Sequence, residues 1–287
     1  MIGTDGVTTM SLFSDVYKPV DCFFRRLAWT TQLAGMALLA ALTGCAPETT
    51  AQKSYVKTCQ LPSDQTGTLS GRWKAAPIPV ALKSGDFSAE ETAEMVAAAD
   101  TWNSFYLSTQ GFALLDYGTA SSPNTTTATK PSALCSKGLV SGGKFTGEVA
   151  IYKQGTWPYS NHDAIALTSF CPSSADPIPN IYMAIMEVNY EDFFIDGKKL
   201  PDLESIFVHE FGHLIGLNHS CDTGGKSGFP DCNDSALDTE YYYASMFPIV
   251  LFDSRGIGEN RRTLQTNDQG RANCLYDDYV DGAPTTD

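Results

Sequence analysis

His209-Glu210-Phe211-Gly212-His213-Leu214-Ile215-Gly216-Leu217-Asn218-His219 decides how the rest of this chain is read. The pattern is H-E-x-x-H-x-x-G-x-x-H, and it holds three of the chain's four histidines. With average residue usage, a chance match in a chain of this length is on the order of one in 10⁵. His209 and His213 are four apart, so on a helix they share one face, about 6 Å apart along the axis. Both imidazoles then reach one ion. Glu210 follows the first ligand and points to the same side, placed to hold a water rather than to bind the ion. Gly216 lets the chain leave the helix in a conformation that other residues resist. The turn brings His219 round as a third ligand. Three protein ligands leave one position open for water, the mark of a catalytic zinc site rather than a closed structural one. Zinc so held lowers the pKa of water to about 7 and polarises a carbonyl. Glu210 is then the general base that takes the water proton and later passes it to a leaving amine.

The eleven residues resemble the zinc-binding signature of the metzincin metalloproteases. Downstream, Ala244-Ser245-Met246-Phe247-Pro248 is similar to the methionine turn of that group, in the form found in its matrixin branch (matrix metalloproteases and relatives), where Met-Tyr-Pro is usual. The resemblance gives Met246 a packing role beneath the zinc and no part in coordination. Leu264 to Tyr276 resembles the matrixin C-terminal helix, L-x-x-D-D-x-x-G-x-x-x-L-Y. Leu264, Asp268, Leu275 and Tyr276 fit, Asn267 replaces the first acidic residue, and the glycine is displaced to Gly270. Pro77-Ile78-Pro79-Val80, followed by a helix containing Trp102, is similar to the family's first strand and first helix. The resemblance implies an α+β, zincin-like catalytic domain: a twisted mixed sheet, an active-site helix and a C-terminal part built on the methionine turn. It implies a zinc-dependent endopeptidase with His209, His213 and His219 on the metal and Glu210 as catalytic residue. Two departures matter. Ala164 to Phe170 matches the strand that gives matrixins a histidine for a second, structural zinc, and Thr168 stands in that place, so one zinc is expected. The cysteine-switch motif of the matrixin pro-segment is absent, so latency through a cysteine thiolate is not expected.

In matrixins the substrate lies extended along an edge strand and adds to the sheet through backbone hydrogen bonds. The matching stretch is about Ala164 to Phe170, with Ala164, Ala166 and Thr168 as substrate contacts. A pocket for the residue after the cut is expected between the zinc helix and the chain from Tyr241 to Phe252, with Tyr241, Tyr242, Tyr243 and Phe252 as its lining. The same aromatics are equally consistent with plain packing. His162, the remaining histidine, carries no ligand signal and is read as a surface or loop residue.

The N-terminal 44 residues read as a targeting segment outside the fold. Arg25 and Arg26 precede an apolar run from Leu27 to Leu42, which is short for a membrane span. Leu42-Thr43-Gly44-Cys45 resembles a bacterial lipobox, which makes Cys45 a lipidation site. Ordinary signal cleavage there, releasing a secreted protein, is the alternative. Ala46 after Cys45 resembles outer-membrane sorting. Residues 45–70 are polar and read as a lipidated tether, leaving 71–287 as one catalytic domain. A net charge of −14 argues against nucleic-acid partners. The expected partners are protein or peptide substrates and, through the lipid, a membrane, with the protein itself a monomer. The acidic surplus leaves calcium possible, although no EF-hand loop is present.

Apart from Cys22 and Cys45, the cysteines are Cys59, Cys135, Cys171, Cys221, Cys232 and Cys274. An even number behind an export signal reads as disulfides, with the pairing open. Cys221 and Cys232 are the easiest pair to join, because they bracket a polar loop just after His219. Elsewhere, residues 72–82 read as a strand, and Ser88-Ala89-Glu90-Glu91 as a capping box opening a helix with Met95, Val96, Ala99, Trp102 and Phe105 or Tyr106 inside. Residues 118–133 read as a surface loop, 147–153 and 181–189 as strands. The zinc helix is expected from Leu200 to Leu217, with Leu203, Phe207, Phe211 and Leu214 inward. Two rivals to the endopeptidase reading share this scaffold: a hydrolase of small peptides, and a non-catalytic surface-binding lipoprotein that keeps zinc.

Overall fold

The computed structural model describes residues 8–15, 54–132, 134–137, 140–141, 144–145, 149–172, 178–280 and 282–284. The apolar run 27–42 and Cys45 lie outside the described residues. In chain order the elements begin with β1 (Thr8–Asp15), β2 (Arg72–Trp73), β3 (Ile78–Lys83) and α1 (Ala89–Thr109). Then come β4 (Leu115–Asp116), β5 (Gly118–Thr119), β6 (Ser122–Pro123), β7 (Thr125–Thr126), α2 (Leu134–Lys137), β8 (Val140–Ser141) and β9 (Lys144–Phe145). The central part is β10 (Val149–Gln154), β11 (Ala164–Pro172), β12 (Asn180–Asn189) and α3 (Leu203–Ile215). The chain closes with α4 (Thr239–Tyr243), β13 (Ile249–Leu251), α5 (Thr266–Tyr276), β14 (Tyr279–Val280) and β15 (Ala283–Pro284). Among the described residues no helix is long and apolar enough to cross a membrane.

One mixed sheet runs β13-β1-β11-β12-β10-β3-β4, with β2 added to β12 and β7 to β3. β10 lies parallel to both β12 and β3, whereas β11 runs antiparallel to β12. β10 to β12 are buried along nearly their whole length, which is why they read as apolar runs rather than alternating strands. The helices α1 and α3 pack on the sheet and on each other. Met95, Val96, Ala99, Trp102, Phe105 and Tyr106 of α1 all face this core, so both aromatics left as alternatives are inside. From α3, Phe207, Phe211 and Leu214 are fully buried, while Leu203 is only partly so. The polar ends of the large aromatics are satisfied on the helix backbones: Trp102 Nε1 donates to Val208 O at 2.9 Å, and Trp73 Nε1 to Leu214 O at 2.7 Å.

The Ser88–Glu91 capping box is formed, with Ser88 N donating to Glu91 Oε2 at 2.8 Å and Glu91 N to Ser88 Oγ at 3.2 Å. α3 is shorter than its apolar pattern implies. Asp202 caps it at Ser205 N (3.0 Å), and Leu200 instead bridges to Ile257. The strand expected over 72–82 is two pieces, β2 and β3, which belong to different neighbours in the sheet. The stretch 118–133 is not all loop: β5 and β6 form a hairpin, and β7 extends the sheet beside β3.

Two expectations about the N-terminal part are corrected. Residues 55–70 are docked rather than a free tether. Cys59 is bonded to Cys274, Gln60 N donates to Gly270 O at 3.0 Å, and Gln65 and Thr68 are fully buried. Their polar side chains serve as hydrogen-bond partners inside the fold: Gln65 Nε2 donates to Ser220 O at 2.6 Å. A polar composition therefore reads as a linker when it is a wrapped segment. The second correction concerns Thr8–Asp15, which lies inside the sheet as β1 although residues 1–44 were expected outside the fold. Thr and Phe in this stretch favour extended backbone, and strands β11 and β13 both offer edges to pair with.

Candidate metal centre

α3 puts His209, Glu210 and His213 into the core with little or no exposure. Gly216 ends the helix with φ 112°, and its own Cβ would lie 1.7 Å from Gly71 O. Only glycine fits there, both for the left-handed backbone and for the close approach. The turn delivers His219, so that the ring centres of the three histidines are 4.7 Å (His209–His213), 5.2 Å (His209–His219) and 4.7 Å (His213–His219) apart.

The outer nitrogens of two rings are fixed by backbone carbonyls. His209 Nδ1 donates to Ser245 O at 2.7 Å, and His213 Nδ1 to Leu217 O at 2.8 Å. A proton held on Nδ1 leaves Nε2 with its lone pair facing inward, the state that a metal requires. His209 Nε2 is buried with no hydrogen-bond partner, and His213 Nε2 sits 3.1 Å from His219 Nε2. With His213 protonated on Nδ1, its Nε2 is an acceptor that a proton on His219 Nε2 satisfies, and a cation can take that proton's place. Burial pushes all three imidazoles down, His213 to about 4, so they are neutral at ordinary pH. The donor set and its orphaned nitrogen fit a tetrahedral zinc with one open position.

Glu210 is fully buried. Thr168 Oγ1 donates to its Oε2 at 2.6 Å, and Oε1 has no partner. Burial pushes the carboxyl up to about 8, opposed by the Thr168 hydroxyl. A nearby dication favours the ionised form and works against the burial. Thr168 therefore faces the metal centre. Its neighbour Leu167 takes the other face of β11, packed with Trp157 and paired with Glu187. As a substrate contact Thr168 can act only through its backbone, because its side chain is committed to Glu210. Ala164 and Ala166 are on the same strand, also buried.

Met246 is fully buried against α3, where a Cβ on Gly212 would come within 2.1 Å of its Sδ. The turn carrying it is held by Asp268 of α5, which accepts from Ser245 N at 2.7 Å and Met246 N at 3.1 Å. The same Ser245 offers its carbonyl to His209. Arg271, also fully buried, donates to Asn218 O at 2.9 Å and so fixes the chain entering His219. Sequence reading placed Asp268 in a family pattern without a task and passed over Ser245 and Arg271. An arginine or aspartate in a short polar helix carries no signal that it is buried.

A cavity does lie between α3 and the chain after Met246, but its lining is Ser205, Ile206, His209, Phe247, Val250 and Arg261, with Ser245 and Glu259. None of Tyr241, Tyr242, Tyr243 or Phe252 lines it. Tyr241 donates to Asp64 at 3.0 Å, and the Tyr242 ring packs on Phe247 from outside. Tyr243 is mostly exposed, and Phe252 sits beneath the Lys199 ammonium. The Cys221–Cys232 disulfide is present and closes the loop after His219, and Cys135–Cys171 and Cys59–Cys274 complete the described pairings. Among the described residues the other cluster with metal-ligand atoms is His162, Glu191 and Asp192 at the surface, where His162 Nδ1 and Asp192 Oδ2 pair at 2.8 Å. Nothing in it argues for calcium.

Residues 115–225 match the family model described as Matrixin. The match includes all three histidines and Glu210 but ends before Met246, so the methionine turn stands on the geometry above. No curated protein matches the chain.

Proposed function

We propose that this chain, a matrixin-like metzincin, is a zinc-dependent endopeptidase. The observation that carries the reading is the buried carboxylate beside three converging Nε2 atoms. Glu210 has one oxygen held by Thr168 and the other free. His209, His213 and His219 would hold the ion. Zinc supplies Lewis acidity there, acidifying water and withdrawing electrons from the scissile carbonyl. Glu210 Oε1 takes the proton of the attacking water and returns it to the departing amine nitrogen. The Thr168 hydroxyl keeps the carboxylate in one rotamer, so its free oxygen is aimed before substrate arrives. Ser245 O and Leu217 O hold the two helix histidines in the metal-binding tautomer.

An extended protein or peptide is the substrate class that this scaffold suits, because backbone pairing along β11 reads no side chain. The cavity beside His209 has room for little more than a water as it stands, and would take the side chain next to the cut only with its walls moved apart. Its wall of Ile206, Phe247 and Val250 favours an apolar group, with the Arg261–Glu259 pair at 2.9 Å adding a polar end. Against a purely structural zinc protein stands Glu210 itself, a costly buried acid that a closed site does not need. The Leu42–Cys45 motif supports a lipid-anchored protein of the bacterial envelope.

The reading is tested by casein cleavage. The protein beginning at Ala46, without the leader and β1, should cleave casein, a zinc chelator should stop it, and added zinc should restore it. Chelator-resistant cleavage would exclude this site as the source. Zinc binding without cleavage of casein or of a peptide library would favour the non-catalytic alternative.

A further inference from the structure

We propose that Gln65, Asn267 and Arg271 form a buried clamp that sets His219 in place, so that zinc affinity depends on residues outside the His209–His219 motif. The inference rests on the reading of His219 as the third zinc ligand, and not on the endopeptidase reading.

His209 and His213 stand on α3, whose backbone bonds fix them. His219 stands on irregular chain beyond Gly216, where no helix holds it. The carbonyls of this stretch are gripped one after another instead. Arg271 Nη1 donates to Asn218 O at 2.9 Å and to His219 O at 3.4 Å, and Gln65 Nε2 donates to Ser220 O at 2.6 Å. Asn267 joins the two grips. Its Nδ2 donates to Gln65 Oε1 at 2.7 Å, and its Oδ1 accepts from Arg271 Nε at 3.0 Å. All three side chains are buried, and Asp268, 3.7 Å from Arg271, balances the guanidinium charge.

The direction of each bond is forced. A guanidinium only donates, so Asn267 must turn its oxygen to Arg271 and its NH2 to Gln65. Gln65 then meets Asn267 with its oxygen and keeps its NH2 for Ser220 O. A fully satisfied buried network with one allowed arrangement holds one geometry. The amides of the same stretch are tied as well, Asn218 N to Thr68 O at 2.7 Å and Ser220 N to Met246 O at 2.8 Å. An imidazole held in advance loses little freedom when the ion arrives, whereas a loose one must be ordered at the expense of affinity. Groups that orient metal ligands in this way typically change metal affinity about tenfold to a hundredfold.

The test compares the protein beginning at Ala46 with its Gln65→Leu variant, which removes the donor to Ser220 O and leaves Asn267 Nδ2 unpaired. Tyr106→Phe is the control. The Tyr106 hydroxyl donates to Ala272 O at 3.0 Å, so this variant also loses a buried bond to a backbone carbonyl, but away from residues 218–220. Arg271→Lys keeps the charge and gives up the fork that reaches both Asn267 and Asn218, and it serves if Gln65→Leu does not fold. Zinc affinity is read by competition with a chromophoric chelator. The visible spectrum of the cobalt(II)-loaded protein reports the ligand set. Zinc should bind the clamp variant about tenfold to a hundredfold more weakly than the wild type, with an altered cobalt spectrum, while Tyr106→Phe matches the wild type in both. Unchanged zinc affinity in the clamp variant, or an equal fall in Tyr106→Phe, overturns the proposal. A wild type that binds no zinc overturns it together with the reading of the metal centre. Weaker zinc in the clamp variant alone, with casein left uncleaved by every protein, supports the clamp and defeats the endopeptidase reading instead.

Discussion

The hydroxyl of Thr168 donates to Oε2 of Glu210 at 2.6 Å, joining the middle of β11 to the zinc helix inside the core. Both groups are fully buried, so no water replaces the bond if the hydroxyl is lost.

Thr168→Val keeps the shape and removes the donor. A hydrogen bond to a charged group contributes about 1.5–3 kcal/mol, so kcat should fall about tenfold to a hundredfold. Zinc content and KM should stay near wild type, because neither the ligands nor the backbone of β11 change. Thr168→Ser should recover most of the loss. Steady-state kinetics with a metal assay decide it, and a KM effect alone would mean that Thr168 serves substrate binding instead.

Gly216→Ala places a Cβ where Gly71 O already lies, 1.7 Å away, on a residue with φ 112°. The strain and the clash together should cost more than about 3 kcal/mol. Denaturant unfolding should show the loss, and the surviving folded protein should hold zinc weakly, since His219 follows this turn. A change within about 0.5 kcal/mol would show that the turn has freedom the structure does not display.

Asp202 caps α3 and accepts from Arg262 Nε at 2.8 Å and Nη2 at 2.5 Å. Burial alone raises its pKa, but Arg262 and Ser205 outweigh it, and the carboxyl sits below the ordinary aspartate range. A depressed folded pKa means stability that is present above the unfolded value of about 3.9 and lost as pH falls through the folded one. Asp202→Asn keeps a cap but gives up the charge, so it should cost about 1–2 kcal/mol at pH 7. The gap between wild type and variant should close as pH drops below about 4. Melting curves from pH 7 to pH 2 check the sign.

Cys59 and Cys274 are 215 residues apart, so their bond closes nearly the whole described chain. On chain-entropy grounds it contributes on the order of 5 kcal/mol. Replacing both with serine should lower the denaturant midpoint strongly. It should also loosen α5, which carries Asp268 and Arg271 and through them the turns behind His209 and His219. A chemical denaturation series with and without reductant measures it.

What the sequence disclosed follows from how local each signal is. His209, Glu210, His213 and Gly216 act within one helix and its end, where spacing and geometry are the same thing. The Ser88–Glu91 box is equally local. The pocket was harder, because which of Tyr242, Phe247 or Val250 faces a cavity depends on how distant segments pack. The Thr168–Glu210 bond was not legible, because it joins residues 42 apart and a strand buried on both sides leaves no polar–apolar contrast to show which way Thr168 points. Gln65 and the segment around it looked like a linker because buried polar residues that satisfy backbone groups have the same composition as solvated ones. β1 was missed because pairing along two edges is a property of β11 and β13 and of the space between them.

The central claim is that Glu210 moves the proton while the three histidines hold the metal. The direct measurement compares the protein beginning at Ala46 with its Glu210→Ala variant, counting bound zinc and following casein cleavage in the same preparations. The account predicts one zinc in each and cleavage by the wild type, with at least a thousandfold loss in the variant. Full activity in Glu210→Ala with zinc retained would contradict it.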